Sequence, residues 1–490
     1  MRRATRSRGR RERSVSVELT GASLTLDDVV RVARTGESVE ISAAGTERMR
    51  ERRAVIEQAA AAGTPTYGVT TGVGMRRDAT VGAAESRAFN RSAILGHLVG
   101  LGKPAPKDVV RASLLRMANA LVAGHQGVRP EVAEALVGVL NGDATLDVHS
   151  LGTVGQADLA QNADLAHGAL GELELDTGEA LGLLAGNAYS TGQAALAIAD
   201  AHALLEWVDV AAALDFEAFR ANTGALHGEI ASARPYPGIA QTIERMHALL
   251  RGSGLWEPGA ARYLQDPLTF RCVPQLHGAA RDALRFVEAQ LAIELNAHQG
   301  NPLVVPSEGR VVSVGNFDSQ PLAAALDFLR IALAPVLTAA VERTLKLLSP
   351  RFSGLSEGLV ATEGSWQDGL SELGVAAQAI TAEARLLAAP VSFELASTMQ
   401  ESGVEDRTAL TSLGARRVSE MLDLGARVLA IELTCAAQAV DLRGPLVLGS
   451  GAAVAHAAVR VRVPSLDTPE QMPLPLEDLA TWIRSEPAPA

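Results

Sequence analysis

The segment from Gly186 to about Leu214 places the strongest constraint on the fold of this 490-residue chain. Apolar side chains fill most of its positions, and its stretch from Ala194 to Leu214 is interrupted only by Asp200, His202, Glu206 and Asp209. A helix that is apolar on nearly every side belongs inside a bundle rather than on its surface. The segment therefore predicts a long helix that is surrounded by others.

Further long helices are predicted along the chain, at Ala279–Asn296, Pro321–Leu347, Leu373–Ala388 and Thr411–Ala439. Pro335 lies inside the second of these and is expected to bend it. Aromatic residues make up only 3% of the chain and strand-forming residues are not clustered, so the fold class predicted is all-α. Helices with several apolar faces cannot all be covered within one chain, which predicts a homo-oligomer.

We expect three regions along the chain: an Arg-rich disordered tail (1–16), an N-terminal part with glycine-rich loops (17–185), and a long-helix bundle with C-terminal helices (186–490). The first thirteen residues hold seven arginines and one glutamate, which leaves −18 on the remainder of a chain whose formal net charge is −12. An acidic body of this kind argues against nucleic-acid binding as the main task.

The compartment and membrane relationship are predicted from composition. The arginine-rich start has no apolar core of the kind that a secretory signal carries. No uncharged run reaches the length of a membrane span, so no membrane partner is expected. The two cysteines, Cys272 and Cys435, form no disulfide framework and are typical of a cytoplasmic protein.

Residues Gly152–Ala160 read Gly-Thr-Val-Gly-Gln-Ala-Asp-Leu-Ala. This resembles the signature Gly-Ser-Val-Gly-Ala-Ser-Gly-Asp-Leu-Ala of the histidine, phenylalanine and tyrosine ammonia-lyases and aminomutases. In that family the Ala-Ser-Gly triad cyclises and loses water to form the electrophile methylidene-imidazolone. Here Gln156 and Ala157 stand before Asp158 in place of the triad. Because no serine is present to lose water, methylidene-imidazolone is not expected, and neither is another cofactor.

Two N-terminal motifs resemble residues that act on the substrate in this family. Tyr67–Gly74 (Tyr-Gly-Val-Thr-Thr-Gly-Val-Gly) agrees with the family loop Tyr-Gly-Val-Asn-Thr-Gly-Phe-Gly at six of eight positions. The family tyrosine removes the β-proton of the substrate, which implies that role for Tyr67. Arg91–His97 resembles the helix whose histidine lies beside the substrate side chain, which implies that role for His97. Without the resemblance, a packed tyrosine and a structural histidine are the alternatives.

Two further motifs imply substrate-binding residues. Asn187 corresponds to a family asparagine that contacts the prosthetic group and substrate. The segment Gln265–Gln275 resembles Gln-Asp-x-Tyr-Ser-Leu-Arg-Cys-x-Pro-Gln, in which the arginine binds the substrate carboxylate. The resemblance assigns that task to Arg271, whose planar guanidinium suits a carboxylate, and places Gln265 in the pocket. Leu268 replaces the second catalytic tyrosine, so any step that used that hydroxyl is lost or reassigned.

The remaining matches complete the expected pocket. Asn316 and Phe317 lie in a segment that the family places around the prosthetic group, followed here by Asp318 instead of histidine. Val404–Arg407 resembles the family's Gln-Glu-Asp-His, from which we expect Glu405 to be a buried carboxylate and hence a candidate acid or base. A salt bridge to Arg407 or a helix cap is the alternative for Glu405. No metal-ligand spacing, phosphate-binding loop or serine-hydrolase elbow is present.

The resemblance covers roughly Leu24 to Arg484 and implies a homotetramer that acts on a small molecule. The first hypothesis is an enzyme that lacks methylidene-imidazolone and performs elimination, isomerisation or conjugate addition and cyclisation on an activated carboxylate or amino-acid derivative. Tyr67 is then the base, with Glu405 or His97 as the proton partner. The second is a ligand-binding or scaffold protein without activity. An ordinary ammonia-lyase is the third, since it needs an electrophile from another source.

Overall fold

A computed structural model describes residues 16–142, 144–362, 366–393 and 405–489 of the chain. The structure is 62% helix and 5% strand, and the all-α prediction is confirmed. The Arg-rich tail, except for Ser16, lies outside the described residues.

The chain divides into two compact units, each of them discontinuous in sequence. Unit one consists of the described residues of Met1–Leu196, Ala292–Ser319 and Glu394–Thr408, and unit two of those of Ala197–Leu291, Gln320–Phe393 and Ala409–Ala490. The continuous division expected at residue 185 does not describe this arrangement, because two later segments pack with the N-terminal part. The order of residues in the sequence carries no signal that later segments will pack with the N-terminal part.

Unit one is built from short and medium helices. Thr25 begins α1 with a capping box, in which its hydroxyl accepts from the Asp28 amide and the Asp28 carboxylate accepts from the Thr25 amide. The apolar α4 is buried along most of its length and packs against α2 and α5. The helices of this unit are α1 (Leu26–Val30), α2 (Ala43–Ala61), α3 (Ser86–Gly96), α4 (Lys107–Ala123), α5 (Pro130–Asn141), α6 (Leu159–Leu170) and α7 (Glu179–Leu184).

Three two-stranded sheets accompany these helices. β1 (Val17–Leu19) pairs in parallel with β2 (Val39–Ile41), and β3 (Leu101–Pro104) pairs antiparallel with β4 (His149–Leu151). β5 (Leu303–Val305) and β6 (Arg310–Val312) form an antiparallel hairpin in which Val304 faces Val311. These pieces are too short to form a sheet core, and they serve to hold loops between helices.

Long helices dominate the rest of the chain. The first, α8 (Ala188–Phe219), corresponds to the predicted apolar helix and is buried almost throughout. In unit two, α13 packs on α16 and α15, and α16 also packs on α18. The helices after α8 are α9 (Glu229–Ala233), α10 (Pro237–Leu249), α11 (Leu268–Arg271), α12 (Val273–Glu294), α13 (Gln320–Leu348), α14 (Pro350–Ser353), α15 (Ser371–Leu387), α16 (Thr411–Leu442), α17 (Ser450–Arg462) and α18 (Leu476–Ser485).

A buried ionic network links three long helices inside unit two. Arg343 of α13 binds Asp215 of α8 through Nε at 2.8 Å and Glu432 of α16 through Nη2 at 2.7 Å. All three side chains are fully buried. Burial, together with repulsion from Glu432, raises the pKa of Asp215 well above its ordinary value. Within this network the charged form of Asp215 is therefore disfavoured.

Helix α13 has the length and apolar composition of a membrane span, but most of that stretch, 61%, is buried. Asp327 and Arg330 form a buried ion pair within it. Packing in a helical core accounts for this apolarity, as it does for α8. The helix runs through Pro335, and the bend predicted there stays a prediction.

Candidate functional site

The segment Gly152–Asp158 turns sharply before α6. Thr153 Oγ1 accepts from the Gly155 amide at 3.1 Å, and Gln156 forms an isolated antiparallel bridge with Asp318. Ala157 adopts a left-handed backbone with φ of 64°, a conformation that favours glycine. The family has glycine at the position before the aspartate, so the backbone keeps a glycine-like shape although the residue is alanine.

Asp158 fixes the end of this turn from inside unit one. One of its carboxylate oxygens accepts from the Ser190 amide at 2.7 Å and the Ser190 hydroxyl at 2.8 Å, and the other accepts from Thr153 Oγ1 at 3.0 Å. Burial raises the pKa of Asp158, and the bonds from Ser190 and Thr153 oppose this effect. Asp158 is therefore an anchor between the turn and the start of α8.

Asn187 and the Phe317 segment lie together in unit one. Asn187 Nδ2 donates to the Phe317 carbonyl at 2.5 Å, which fixes the orientation of the amide and leaves Oδ1 buried without a hydrogen-bond partner among the described residues. Gln156 is also buried, and its Nε2 has no such partner either. Buried amide groups without partners are rare. The turn and Asn187 thus hold one donor and one acceptor that a ligand can satisfy. Asn316, beside them, is exposed.

Tyr67 and His97 are both partly buried in unit one. The Gly74 amide donates to the Tyr67 phenolic oxygen at 3.0 Å, so the glycine-rich loop closes on its own tyrosine. A donor at this oxygen favours negative charge on it. His97 Nδ1 lies 2.7 Å from the Ala93 carbonyl. Since a carbonyl can only accept, Nδ1 carries the proton and the Nε2 atom of the neutral ring is an acceptor.

The expectation that Glu405 is a buried carboxylate is wrong for this chain, because Glu405 is exposed. Residues 406–410 have no regular secondary structure. Arg407, the alternative partner, binds Asp318 through Nε at 2.9 Å. This pair connects the 405–408 segment to the residue opposite Gln156. Asp318, which replaces the family histidine, thereby has a structural partner that the sequence comparison did not identify.

The other predicted binding residues lie in unit two. Leu268 begins α11 and is 63% exposed, and Gln265 is exposed as well. Arg271 Nε donates to the Asp266 carbonyl at 2.7 Å, which fixes the base of the guanidinium and leaves its terminal amino groups for another acceptor. Asp266 Oδ2 in turn accepts from the Asn222 amide at 2.6 Å. The segment is held rigidly enough to present Arg271 to a carboxylate.

Two imidazole rings lie close together in unit one. The centroids of His125 and His298 are 5.4 Å apart, and the described residues provide no hydrogen-bond partner for either ring nitrogen of His298 or for Nδ1 of His125. Burial lowers the pKa of His298 to about 3, with further effects from His125 and Arg116, and burial lowers the pKa of His125 to about 4. Both rings are therefore neutral at physiological pH.

No metal centre is indicated by the described part of the chain, in which no three histidine, cysteine, aspartate or glutamate side chains come together as a ligand set. Residues that the sequence analysis missed are Ser190 and Thr153, which bind Asp158. A signal was present for Ser190, since Ser190 and Thr191 are two hydroxyl residues at the start of an otherwise apolar helix.

The family model for "Aromatic amino acid lyase" matches residues 24–175 and 165–461. The chain belongs to the aromatic amino acid lyase family. A histidine ammonia-lyase from Treponema denticola is 35% identical over 459 residues, covering 89% of this chain and 90% of the relative. Another, from Symbiobacterium thermophilum, is 35% identical over 96% of this chain and 97% of its own length.

Solved structures of the family agree over nearly the whole chain. The ergothioneine-degrading enzyme ergothionase from Treponema denticola, solved with desmethyl-ergothioneine sulfonic acid, superposes with a TM-score of 0.91 at 25% identity over 96% of this chain and 99% of that one. Tyrosine aminomutase from Streptomyces globisporus superposes with a TM-score of 0.88 at 29% identity over 96% and 97%. Lyases and aminomutases thus share this scaffold.

Proposed function

We propose that this protein is a lyase of the ammonia-lyase fold that eliminates an amine without methylidene-imidazolone. The observation that carries the proposal is the segment Gly155-Gln156-Ala157-Asp158. It contains no serine to dehydrate, and the buried Ala157 methyl offers no group that could become an electrophile. The residues therefore do not fit the prosthetic group, although the surrounding turn keeps its glycine-like shape.

The family resemblance assigns the remaining roles to Tyr67 and Asn187 in unit one and to Arg271 in unit two. Arg271 would hold the substrate carboxylate through its terminal amino groups, which its Nε contact leaves available. Tyr67 would take the β-proton, helped by the donor at its oxygen. The electron pair of the broken Cβ–H bond forms the Cα=Cβ double bond, and the pair of the Cα–N bond leaves with the amine. The proton stays on Tyr67 until it returns to water.

The leaving group decides whether such a reaction proceeds without an electrophile. A primary ammonium loses its own N–H proton to a base more readily than its β-proton, and the resulting amine leaves poorly. A quaternary ammonium has no N–H proton, stays cationic, and leaves as a neutral tertiary amine. We therefore propose a betaine, an amino acid with a fully alkylated α-nitrogen, as the substrate class. The similarity to an ergothioneine-degrading enzyme, a family member named for a substrate other than histidine, phenylalanine or tyrosine, supports a substrate outside the free amino acids.

The substrate ring is expected to carry a polar N–H or O–H group. His97 Nε2 is an acceptor once Nδ1 binds the Ala93 carbonyl. The unpartnered Gln156 Nε2 and Asn187 Oδ1 supply a further donor and acceptor. Leu268 adds an apolar side chain where the family has a catalytic hydroxyl. Isomerisation and cyclisation stay possible outcomes of the same proton removal, and product analysis distinguishes them.

The test compares histidine, phenylalanine and tyrosine with their Nα-trimethyl betaines, and measures the enoate by ultraviolet absorbance and the released amine by mass spectrometry. We expect turnover of a betaine but not of its parent amino acid. Tyr67→Phe should lower kcat by at least about a hundredfold, the usual contribution of a general base, and Arg271→Ala should mainly raise KM. Tyr236→Phe, at an exposed tyrosine, is the matched control.

Two other outcomes would contradict the proposal. Turnover of a free amino acid, together with an intact mass that lacks water and a near-ultraviolet band quenched by borohydride, would indicate an ordinary ammonia-lyase. Tight binding of the amino acids or betaines without product formation, with binding unchanged in Tyr67→Phe and Arg271→Ala, would favour the scaffold hypothesis. Asn187 argues against a scaffold, because its buried Oδ1 costs stability unless a ligand binds it.

We also propose that the active form is a cytoplasmic homotetramer. Phe286 of α12 and Phe328 of α13 meet edge to face at 5.9 Å in unit two and are 49% and 47% exposed, and Ile331 beside them is 46% exposed. A contiguous exposed apolar surface of this kind supports contact with another copy. Light scattering should give four times the mass of the 51.1 kDa chain, and Phe328→Glu should dissociate it.

A further inference from the structure

Three arginines of unit two meet around the turn that follows α13. Arg443 at the end of α16 donates through Nε to the Ala218 carbonyl at 2.5 Å and through Nη2 to the Ser353 carbonyl at 2.6 Å. The guanidinium of Arg262 lies against Gly354, so closely that a Cβ on this glycine would overlap it at 2.1 Å. Arg220 lies close enough for its charge to act on Arg443. We name Arg220, Arg262 and Arg443 the arginine cluster.

Each guanidinium of the arginine cluster is held by a contact that leaves donors unused. Arg220 Nε donates to the Ala260 carbonyl at 3.0 Å, and the Arg262 amide donates to the Arg220 carbonyl at 2.9 Å. Arg262 lies over the ring of Tyr263 at 5.4 Å, while the Tyr263 hydroxyl donates to the Phe352 carbonyl at 3.0 Å. The backbone around residues 351–354 therefore keeps these cations together.

No carboxylate of the described residues forms an ion pair with any member of the arginine cluster. Elsewhere in unit two, buried arginines are neutralised: Arg343 by Asp215 and Glu432, and Arg281 by Asp209. Burial, and then the charges of Arg262 and Arg220, lower the pKa of Arg443 to about 10. Like charges held close together on an otherwise acidic protein repel each other, and a bound anion removes this cost.

We propose that the arginine cluster is a binding site for a phosphate group, carried either by inorganic phosphate or by a phosphorylated metabolite. Planar guanidinium groups bind phosphate oxygens through paired N–H donors. Two of the three side chains, those of Arg220 and Arg262, belong to exposed residues, whereas Arg443 is half-buried. Arg443 therefore forms the inner part of the site, and the exposed arginines leave it accessible from solvent. It is separate from Arg271, whose Nε binds Asp266.

The site is tested on the full-length protein with inorganic phosphate and with a phosphomonoester, glycerol 3-phosphate, by isothermal titration calorimetry and thermal unfolding. Chloride at equal ionic strength controls for general screening. We expect saturable binding and a melting temperature that rises with phosphate but not with chloride. Tighter binding of the inorganic ion identifies free phosphate as the ligand, and tighter binding of the ester identifies a phosphorylated metabolite.

Variants at exposed positions separate a site from a general charge effect. Arg262→Gln and Arg220→Gln should each weaken phosphate binding by about tenfold or more, because each removes a charge-assisted donor. Arg234→Gln, at an exposed arginine that lies over Tyr236, is the matched control and should bind like the parent. Lack of saturable binding, or equal affinity in the parent and both variants, would overturn the proposal. So would a crystal structure in which a carboxylate of a second copy occupies the cluster.

Discussion

Acid should destabilise this protein through His298 before it affects most other side chains. The His298 ring is mostly buried, and both of its nitrogens lack partners in the described structure. Burial lowers its pKa from the ordinary 6.5 to about 3. The folded protein therefore keeps His298 neutral in the range where the unfolded chain takes up a proton. Stability is complete above the unfolded pKa and is lost as the pH falls toward the folded one.

The magnitude follows from the unfolded state. Below its ordinary pKa, each pH unit lowers the free energy of unfolding by about 1.4 kcal/mol per histidine that stays neutral when folded. At about pH 5 the loss from His298 is therefore about 2 kcal/mol. This figure does not depend on the exact folded pKa, provided that it lies below 5. His125, whose pKa burial lowers to about 4, adds a loss of the same sign; its ring is about half-buried, and solvent screens it.

Urea unfolding followed by circular dichroism at about pH 7.5 and about pH 5 measures this effect. Carboxylates also begin to titrate in this range, so the informative quantity is the difference between variants. His298→Leu should reduce the loss of stability between the two pH values by about 2 kcal/mol relative to the parent. His227→Gln, at an exposed histidine, is the matched control. If the parent and His298→Leu lose the same stability, the assignment of a neutral buried ring is refuted.

Three further substitutions test the contacts described above, each by urea unfolding. Ala157→Gly should raise the free energy of unfolding by about 0.5 kcal/mol. Relief of the strained left-handed backbone contributes about 1–2 kcal/mol, which exceeds the entropic cost of glycine. A destabilised variant would contradict the positive φ of Ala157. Asp158→Ala should lower the free energy of unfolding by about 3 kcal/mol, since it leaves the Ser190 amide unpaired in the interior. Ser190→Ala should lower it by only about 1 kcal/mol. Equal losses in the two variants would argue against the role of Asp158 as an anchor. Arg343→Met should lower the free energy of unfolding by about 3–5 kcal/mol at neutral pH, because it leaves buried carboxylate charge without its partner. The loss should be smaller in acid, where protonation of the carboxylates removes that charge. A loss that is independent of pH would count against the network.

The helices could be predicted from sequence because their apolar periodicity is local. The predicted Thr411–Ala439 and Pro321–Leu347 segments correspond closely to α16 and α13. The short strand β6 likewise carries a local signal, the two adjacent β-branched residues Val311 and Val312. In these cases the information lies within one or two helical turns or within a single strand.

The candidate site was predicted as a set of residues but not as an arrangement. Asn187 and Phe317 are 130 positions apart and meet through one hydrogen bond, which no local pattern encodes. The exposure of Glu405 could not be predicted either, because burial depends on what packs over a segment rather than on the segment itself. The same holds for Asp158, whose partner Ser190 lies 32 positions further along the chain.

The anchored turn before α6 limits any attempt to reinstall the lost electrophile. Its two ends are fixed, with the Gly155 carbonyl accepting from Ser319 at 3.4 Å and Asp158 bound to Ser190. Replacing Gln156-Ala157 by Ala-Ser-Gly adds one residue, about 3.8 Å of backbone between consecutive Cα atoms, within this fixed span. The extra length must bulge outward and break the bridge between Gln156 and Asp318. Engineering the reverse transition would therefore require a change at Asp318 together with the insertion, rather than the insertion alone.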